Sequence, residues 1–381
     1  MKPTRILPVL AFVVAACGDQ HMSTAPGALQ AAIASGNGVA AQITLDQLEA
    51  AVNIGVPWTN GGTHVGKEFD QSPHLGDAIV ATFVWRGTTN TITEVTDHLE
   101  DGTPVGNSYT LVEYITADGW SEATYVATNV RNFPDPAPSP DKILAVHAIF
   151  SVPITDGGEM ISAYSGVSPA SAVALGAHHS ATGTGSTTTL ADPGAIPIDA
   201  GALAYTFTMS NGVVDLTQPT GFSWLTGVWN TTNKAAGAYA VQSAAGVVEP
   251  QWTWSFQAPS TWFASVVALN PQIATHVGFV TQPSYTAMPG GTITPPVQVA
   301  VLDDQGNRVT GFTGSVTVAL GNDGSLFKNA HLSGTAVEPV VNGVATFPNL
   351  SVDEPGMGYT LRAAADPLTG GISAPFNVTF P

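Results

Sequence analysis

One cysteine occurs in the 381-residue chain, Cys17, so no internal disulfide can form. Basic residues are scarce as well: 10 Lys and Arg stand against 28 Asp and Glu, a formal net charge of −18. A surface of that sign repels nucleic-acid phosphates and anionic lipid head groups, which excludes nucleic acid as a partner. Charged residues make up 10% of the chain and form no long helix-forming runs. Catalytic signatures are missing too. There is no G-x-S-x-G elbow, no H-E-x-x-H pair and no cysteine pair for zinc. No catalytic residue is assigned, and the balance of features leans away from an enzyme. What the chain does have is 40 Gly, 28 Pro and many Thr, Ser and Val, a composition suited to short strands joined by turns.

The amino end sets the compartment. Lys2 and Arg5 precede an apolar run from Ile6 to Ala16, which is too short to span a bilayer. A basic start, an apolar middle and small residues at the end describe a secretory signal. The stretch Val14-Ala15-Ala16-Cys17 resembles the lipobox of bacterial lipoproteins. That resemblance implies removal of residues 1–16 and lipid attachment at Cys17, with the membrane contacted through the lipid alone. Gly18, rather than an aspartate, follows the cysteine and permits an outer-membrane or cell-surface location. The alternatives are an ordinary signal peptide with an incidental cysteine, and a buried structural thiol.

Residues 17–54 read as a tether. Ser23 to Gly38 is too poor in apolar residues to order itself. Within the tether, Thr44–Val52 carries a helix signature. Thr44 stands in the capping position, Gln47 in the capping-box position, and Leu45, Leu48 and Val52 share one helical face.

From Asp77 onward, apolar and alternating segments recur between turn residues. Asp77–Trp85, Thr91–Thr96, Asn107–Tyr114, Ser121–Thr128, Lys142–Val152 and Glu159–Tyr164 are the first of them. Closely spaced strands of this kind imply an all-β chain of antiparallel β-sandwich domains in series, here a module over 55–271 and a second domain over 272–381. The order Gly76-Asp77, Ile92–Asp97, Gly106–Leu111, Tyr125–Asn129, Ile161–Val167 and Trp262–Pro271 resembles a β-sandwich module of surface and secreted proteins of soil bacteria. This chain departs from it in the Leu99–Val105 and Pro134–Pro140 loops. The segments Val277–Pro283, Thr294–Val309, Phe312–Leu320, Asn342–Leu350, Gly358–Ala363 and Ala374–Thr379 resemble bacterial immunoglobulin-like domains of the invasin and surface-array kind. Together these resemblances imply surface display, with adhesion or glycan binding as the expected role. A polysaccharide-active enzyme and a structural envelope subunit are the alternatives.

Candidate ligand residues are scattered. His64, Glu68, Asp70 and His74 share one short stretch and offer a metal site or an acid–base carboxylate pair, against the plainer reading of a solvated loop. Asp97, Glu100, Asp101 and Asn107 offer oxygens for a structural calcium ion, against a polar hairpin loop. No other cofactor is expected. Asp303 and Asp304 read as a turn. His178 and His179 would point to opposite faces of a strand and so not share a metal. Trp252, Trp254 and Phe256 recur at period two, as core residues or as a stacking platform for sugars. Trp120, after the Asp118-Gly119 turn, reads as an exposed ring at a loop tip.

Overall fold

The computed structural model describes residues 38–53, 63–212, 215–284 and 286–380, so Cys17 and the signal segment lie outside the described residues. Among the described residues the regular structure is nearly all strand, in mostly antiparallel sandwich-type sheets, as the composition implies. Among the described residues, no helix is long and apolar enough to cross a membrane.

The module expected over 55–271 reaches back to Thr44, inside the expected tether, and divides into two consecutive units with a shared framework of eight strands, to which the second adds a short pair, Ile196–Ile198 with Gly246–Val248. The first runs β1 (Thr44–Asn53), β2 (His64–Glu68), β3 (Ala78–Arg86), β4 (Ile92–Leu99), β5 (Thr110–Ala117), β6 (Trp120–Ala127), β7 (Leu144–Phe150) and β8 (Gly157–Ser165). The second runs β9 (Leu175–Gly185), β10 (Thr188–Ala191), β11 (Leu203–Ser210), β12 (Asp215–Thr217), β13 (Ser223–Trp229), β14 (Lys234–Val241), β15 (Trp252–Ser255) and β16 (Ser260–Leu269). One sheet of the first unit has the order β1-β8-β3-β6-β5 and the other β2-β7-β4. The second unit repeats both orders: β9-β16-β11-β14-β13 and β10-β15-β12. First pairs with last, second with seventh and third with sixth. This is the nested pairing of a jelly roll, with strand five carried into the larger sheet. The registers also match. Ala78 pairs with Tyr164 and Phe83 with Glu159, and 125 and 105 positions later Leu203 pairs with Leu269 and Thr208 with Ala264.

The two five-stranded sheets pack against each other. Val80, Val84, Met160 and Tyr164 of the first repeat share one buried cluster with Tyr205, Phe207, Phe263 and Val267 of the second. Each large sheet is therefore covered on both faces, by the other repeat and by its own three-stranded partner. This explains why its strands read as continuous apolar runs. Polar bolts fasten the rim of the interface. Asp118 accepts hydrogen bonds from Asn211 Nδ2 (3.0 Å) and Thr261 Oγ1 (2.8 Å), and Asp156 accepts from Asn230 Nδ2 (2.8 Å).

The helix expected over Thr44–Val52 is strand β1. The register slips between Leu45 and Gln47, leaving Asp46 as the extra residue of a β-bulge. The bulge puts Leu45, Leu48 and Ala50 against the central core together. A spacing of three, diagnostic of a helix in an unbroken pattern, arises here from a strand with one inserted residue.

The carboxy-terminal domain holds a separate core of Val297, Val299, Val301, Val316, Val318, Phe347, Tyr359 and Phe376. Its larger sheets include His276–Thr281 paired with Val297–Leu302, and Ser315–Leu320 paired with Leu361–Ala364. At its junction with the second repeat, Val39–Ala40 pairs with Ile273–Ala274, and Gln42 N–H donates to Gly311 O at 3.1 Å.

Candidate functional sites

The bulge that breaks the helical reading also builds a polar cluster. Asp46 is displaced from β1 toward the turn before β3, where Gly76 takes a left-handed φ of 98°. His74 Nδ1 lies 2.9 Å from Asp46 Oδ2, and the His74 backbone N–H reaches both Asp46 Oδ2 (3.0 Å) and Asp77 Oδ2 (3.2 Å). One ligand atom from each of Asp46, His74 and Asp77 lies within 4.8 Å of the others. Burial pushes the Asp77 carboxyl up to about 8, and the neighbouring Asp46 and Asp135 carboxyls add to the shift. The pair can hold a proton between Asp46 and Asp77, or offer oxygen and nitrogen ligands to a cation. His74 and Asp135 also line a cleft of about 410 Å³, with Gln47, Gln71, Ser72 and a wall of Pro136, Pro138 and Pro140.

The sequence quartet is divided among three neighbourhoods. His74 joins Asp46 and Asp77. Glu68 and Asp70 lie in a group with Glu49 and Lys67. His64 lies beside His147, which burial, with the charges of His98 and His64, lowers to about 3. The His98 and His147 rings are 4.0 Å apart.

Asp97 belongs to β4 rather than to an open loop, and it is 1% exposed. Its carboxylate accepts from Gly106 N–H (2.8 Å), Asn107 N–H (3.0 Å), Asn107 Nδ2 (2.7 Å) and Tyr109 OH (3.3 Å). Those donors order the hairpin. Asp101 pairs instead with Lys142, which holds its carboxyl down at about 2, and Glu100 N–H donates to Ile143 O. Asp303 repeats the Asp97 arrangement, accepting from Gln305 N–H (3.1 Å), Asn307 N–H (2.7 Å) and Asn307 Nδ2 (3.1 Å). Asp304 is exposed in the same turn.

His178 Nδ1 meets Glu113 Oε1 of the first repeat at 2.5 Å, whereas His179 Nδ1 meets Pro193 O within its own repeat. The two rings thus serve opposite faces of β9. Trp252 and Trp254 are fully buried and Phe256 nearly so. Each indole N–H is satisfied by a threonine, Trp252 by Thr206 Oγ1 (3.0 Å) and Trp254 by Thr208 Oγ1 (3.1 Å). These rings form core and present no platform. Trp120 is a correction: it is 5% exposed and packs into the core between the repeats. It opens β6 on the face that the second repeat covers.

Among the described residues the exposed rings are Tyr114, Phe327, Phe380 and two tryptophans of one strand that the sequence reading did not single out. Trp224 is 42% exposed and Trp229 65% exposed, both on β13. In a regular strand, residues five apart point to opposite faces. A register slip between Trp224 and Gly227 changes that parity: Trp224 pairs with Ala238 and Trp229 with Lys234. Both rings therefore stand on one face of the five-stranded sheet, the face that only three strands cover. Ala238 and Lys234 are four residues apart, placing the rings about 13 Å apart along the strand. A Cβ on Gly227 would come within 2.8 Å of the Trp224 ring, so glycine lets the indole lie over the strand. Trp224 also meets the buried Trp252 edge to face at 6.1 Å, and Lys234 Nζ lies 6.0 Å from the Trp229 ring centroid.

No family model matches the chain, and no curated protein matches it. Among solved structures, similarity is found to the major capsid protein P2 from bacteriophage PM2, at 11% identity and a TM-score of 0.22, over 60% of this chain and 97% of that one. A chain described as BspA_C_WT is 9% identical with a TM-score of 0.14, over 61% of this chain and 82% of that one.

Proposed function

We propose that this is a cell-envelope lipoprotein, anchored through lipid on Cys17, that displays its sandwiches outside the cytoplasm and binds glycan on the β13 shelf. The observation that carries the reading is the pair of indoles, Trp224 and Trp229, on one sheet face and 42% and 65% exposed beside its three-stranded cover. Large apolar rings left in water are unfavourable unless something covers them, and the C–H face of a pyranose ring suits a flat indole. A spacing of about 13 Å favours an extended chain of sugars over a single monosaccharide. Lys234 beside Trp229 adds a donor within a strongly acidic protein. The immunoglobulin-like resemblance of residues 272–381 fits a spacer or a second binding module.

The enzyme alternative draws on Asp46 and Asp77. Their oxygens lie within 4.8 Å of each other and Asp77 is 2% exposed, whereas glycoside hydrolysis needs two accessible carboxyl groups about 5–10 Å apart. The cluster is better suited to holding the β1 bulge against the turn before β3.

A glycan array probed with the chain from Cys17 onward tests the binding claim. Saturable binding to a polysaccharide, weakened at least tenfold by Trp229→Ala, is the expected result. Binding to no glycan, or binding unchanged in the Trp224→Ala/Trp229→Ala double variant, overturns it. Separately, Cys17→Ser is expected to shift the protein from the detergent phase to the aqueous phase in phase partition.

A further inference from the structure

The duplication supplies an internal control for the cluster of Asp46, His74 and Asp77. With the registers of the two repeats aligned, Asp46 corresponds to Gly176, His74 to Asp199 and Asp77 to Ala202. The second repeat builds the same bulge: Leu175 pairs with Leu269 and His178 with Val267, as Leu45 pairs with Tyr164 and Leu48 with Ser162. It builds the same turn as well. Ala202 N–H donates to Asp199 O (3.2 Å) and Gly201 N–H to Gln242 O (2.7 Å), as Asp77 N–H donates to His74 O (3.1 Å) and Gly76 N–H to Val130 O (2.9 Å). Bulge and turn therefore close without the three side chains. Where the first repeat buries the Asp77 carboxyl, its twin buries the methyl group of Ala202.

These side chains are additions to the shared framework, and their charges do not balance. Asp46 and Asp77 act on each other as like charges, and the Asp135 carboxylate adds a third. Among the described residues, no lysine or arginine forms an ion pair with Asp46, Asp77 or Asp135. Two neighbouring carboxylates, one of them 2% exposed, do not both stay ionised unless a cation lies between them; otherwise they share a proton. A shared proton needs only the two acids, whereas here an imidazole nitrogen converges with them. The His74 backbone N–H donates to Oδ2 of both aspartates and so fixes both carboxylates beside the ring. His74 Nδ1 lies 2.9 Å from Asp46 Oδ2, and one ligand atom of each residue lies within 4.8 Å of the others. Neighbouring ligands of a tetrahedral ion with bonds of about 2.0–2.1 Å stand about 3.3 Å apart, so small side-chain adjustments close this triangle on an ion.

We infer that Asp46, His74 and Asp77 bind a divalent transition-metal ion of the zinc class, which ties the bulge of β1 to the turn before β3. One imidazole nitrogen with two carboxylate oxygens is a donor set that zinc takes, whereas calcium asks for a larger shell made of oxygen alone. Strands β1 and β3 flank β8, and Leu45 and Ala78 both pair with Tyr164, so the ion links the edge strand of the sheet to its centre. His74, with a side chain 65% exposed, also lines the cleft beside Asp135, Gln47 and Ser72, and the ion enters from that side. The second repeat, with glycine and alanine at two of the three positions, has no counterpart of the site.

The test uses the chain from Cys17 onward, stripped with EDTA and carrying Cys17→Ser so that the thiol does not compete for metal. Zinc chloride is titrated by calorimetry and thermal unfolding, and cobalt(II) by its visible absorption. One saturable site, a rise of several degrees in the unfolding midpoint and cobalt bands of a nitrogen–oxygen site are expected. His74→Ala should weaken zinc at least tenfold and abolish the rise. It should leave the midpoint of the stripped protein unchanged, because the ring is largely in solvent. Asp46→Asn should weaken zinc as much; should it fail to fold, His74→Gln must give the same loss of affinity. His331→Ala, at the exposed His331–Asp353 pair, should leave zinc binding unchanged. The inference is overturned by no saturable zinc binding, by calcium binding tighter than zinc, by undiminished affinity in folded His74→Ala, or by an equal loss in His331→Ala.

Discussion

Gln272 donates its side-chain N–H to Asp303 Oδ2 at 2.9 Å, across the seam between the second repeat and the carboxy-terminal domain, and both residues are buried. The Asp303 carboxylate thus organises its own turn and fastens that turn to the neck of the preceding repeat. Asp303→Ala removes the acceptor from four donors at once. It is expected to destabilise the carboxy-terminal domain by about 2–4 kcal/mol in urea unfolding, and Gln272→Ala by about 1 kcal/mol. A double-mutant cycle should return a coupling of about 0.5–3 kcal/mol, since the two side chains touch. Strict additivity would show that the seam is held by other contacts.

The indole shelf predicts a separation of binding from stability. Trp229 is mostly in solvent, so Trp229→Ala should change unfolding free energy by no more than about 0.5 kcal/mol while weakening glycan binding. Trp224 packs on Trp252, so its removal should cost about 1 kcal/mol in addition. Parallel thermal scans and binding isotherms read both effects.

Between the repeats, Glu122 is fully buried, accepting from Ser265 Oγ at 2.6 Å with Oε2 unpartnered. Burial pushes its carboxyl from 4.5 up to about 8, the Ser265 hydrogen bond opposes the shift, and the Glu113 charge adds to it. The folded chain therefore keeps a proton that the unfolded chain releases above pH 4.5. Stability must fall as pH rises from about 4.5 to about 8 and level off beyond. Glu122→Gln should remove this fall, worth a few kcal/mol at pH 8, in urea midpoints measured from pH 5 to 9. Asp77, raised from 3.8 to about 8, gives a slope of the same sign, so Asp77→Asn should flatten the curve further.

The threonine partners of the buried indoles give a fourth prediction. Thr206→Val keeps the volume but strips Trp252 Nε1 of its acceptor in a site without solvent. A loss of about 1–3 kcal/mol is expected from calorimetric unfolding, and Thr208→Val should match it through Trp254. A neutral result for both would show that the ring packing alone sets the stability of this core.

Strand-rich character was legible in the sequence because alternation and turn residues act locally. Irregularities in pairing were not. Asp46 and the slip before Gly227 each insert a residue, and each reverses the face of everything beyond it. One bulge made Leu45 and Leu48 look helical, and the other hid the fact that Trp224 and Trp229 share a face. Trp120 was misplaced for a different reason. A turn at Asp118-Gly119 shows where a strand begins, but not that a second repeat will lie on its face. The duplication was equally hidden, because Phe83 matches Thr208 and Glu159 matches Ala264, so register survives where side chains do not. The cluster of Asp46, His74 and Asp77 joins residues 28 positions apart and needed the bulge to form.

The short pairing of Val39–Ala40 with Ile273–Ala274 has a mechanical consequence. The chain enters the folded body beside the strand that leads into the carboxy-terminal domain, so residues 41–272 form a loop pinned at its base. Tension applied between the amino end and the carboxy-terminal domain runs across this neck and bypasses both repeats while the pairing holds. The exposed indoles on β13 would then ride on an unloaded side arm, and a pull on the amino end would strain the neck before it bent the face that carries Trp224 and Trp229.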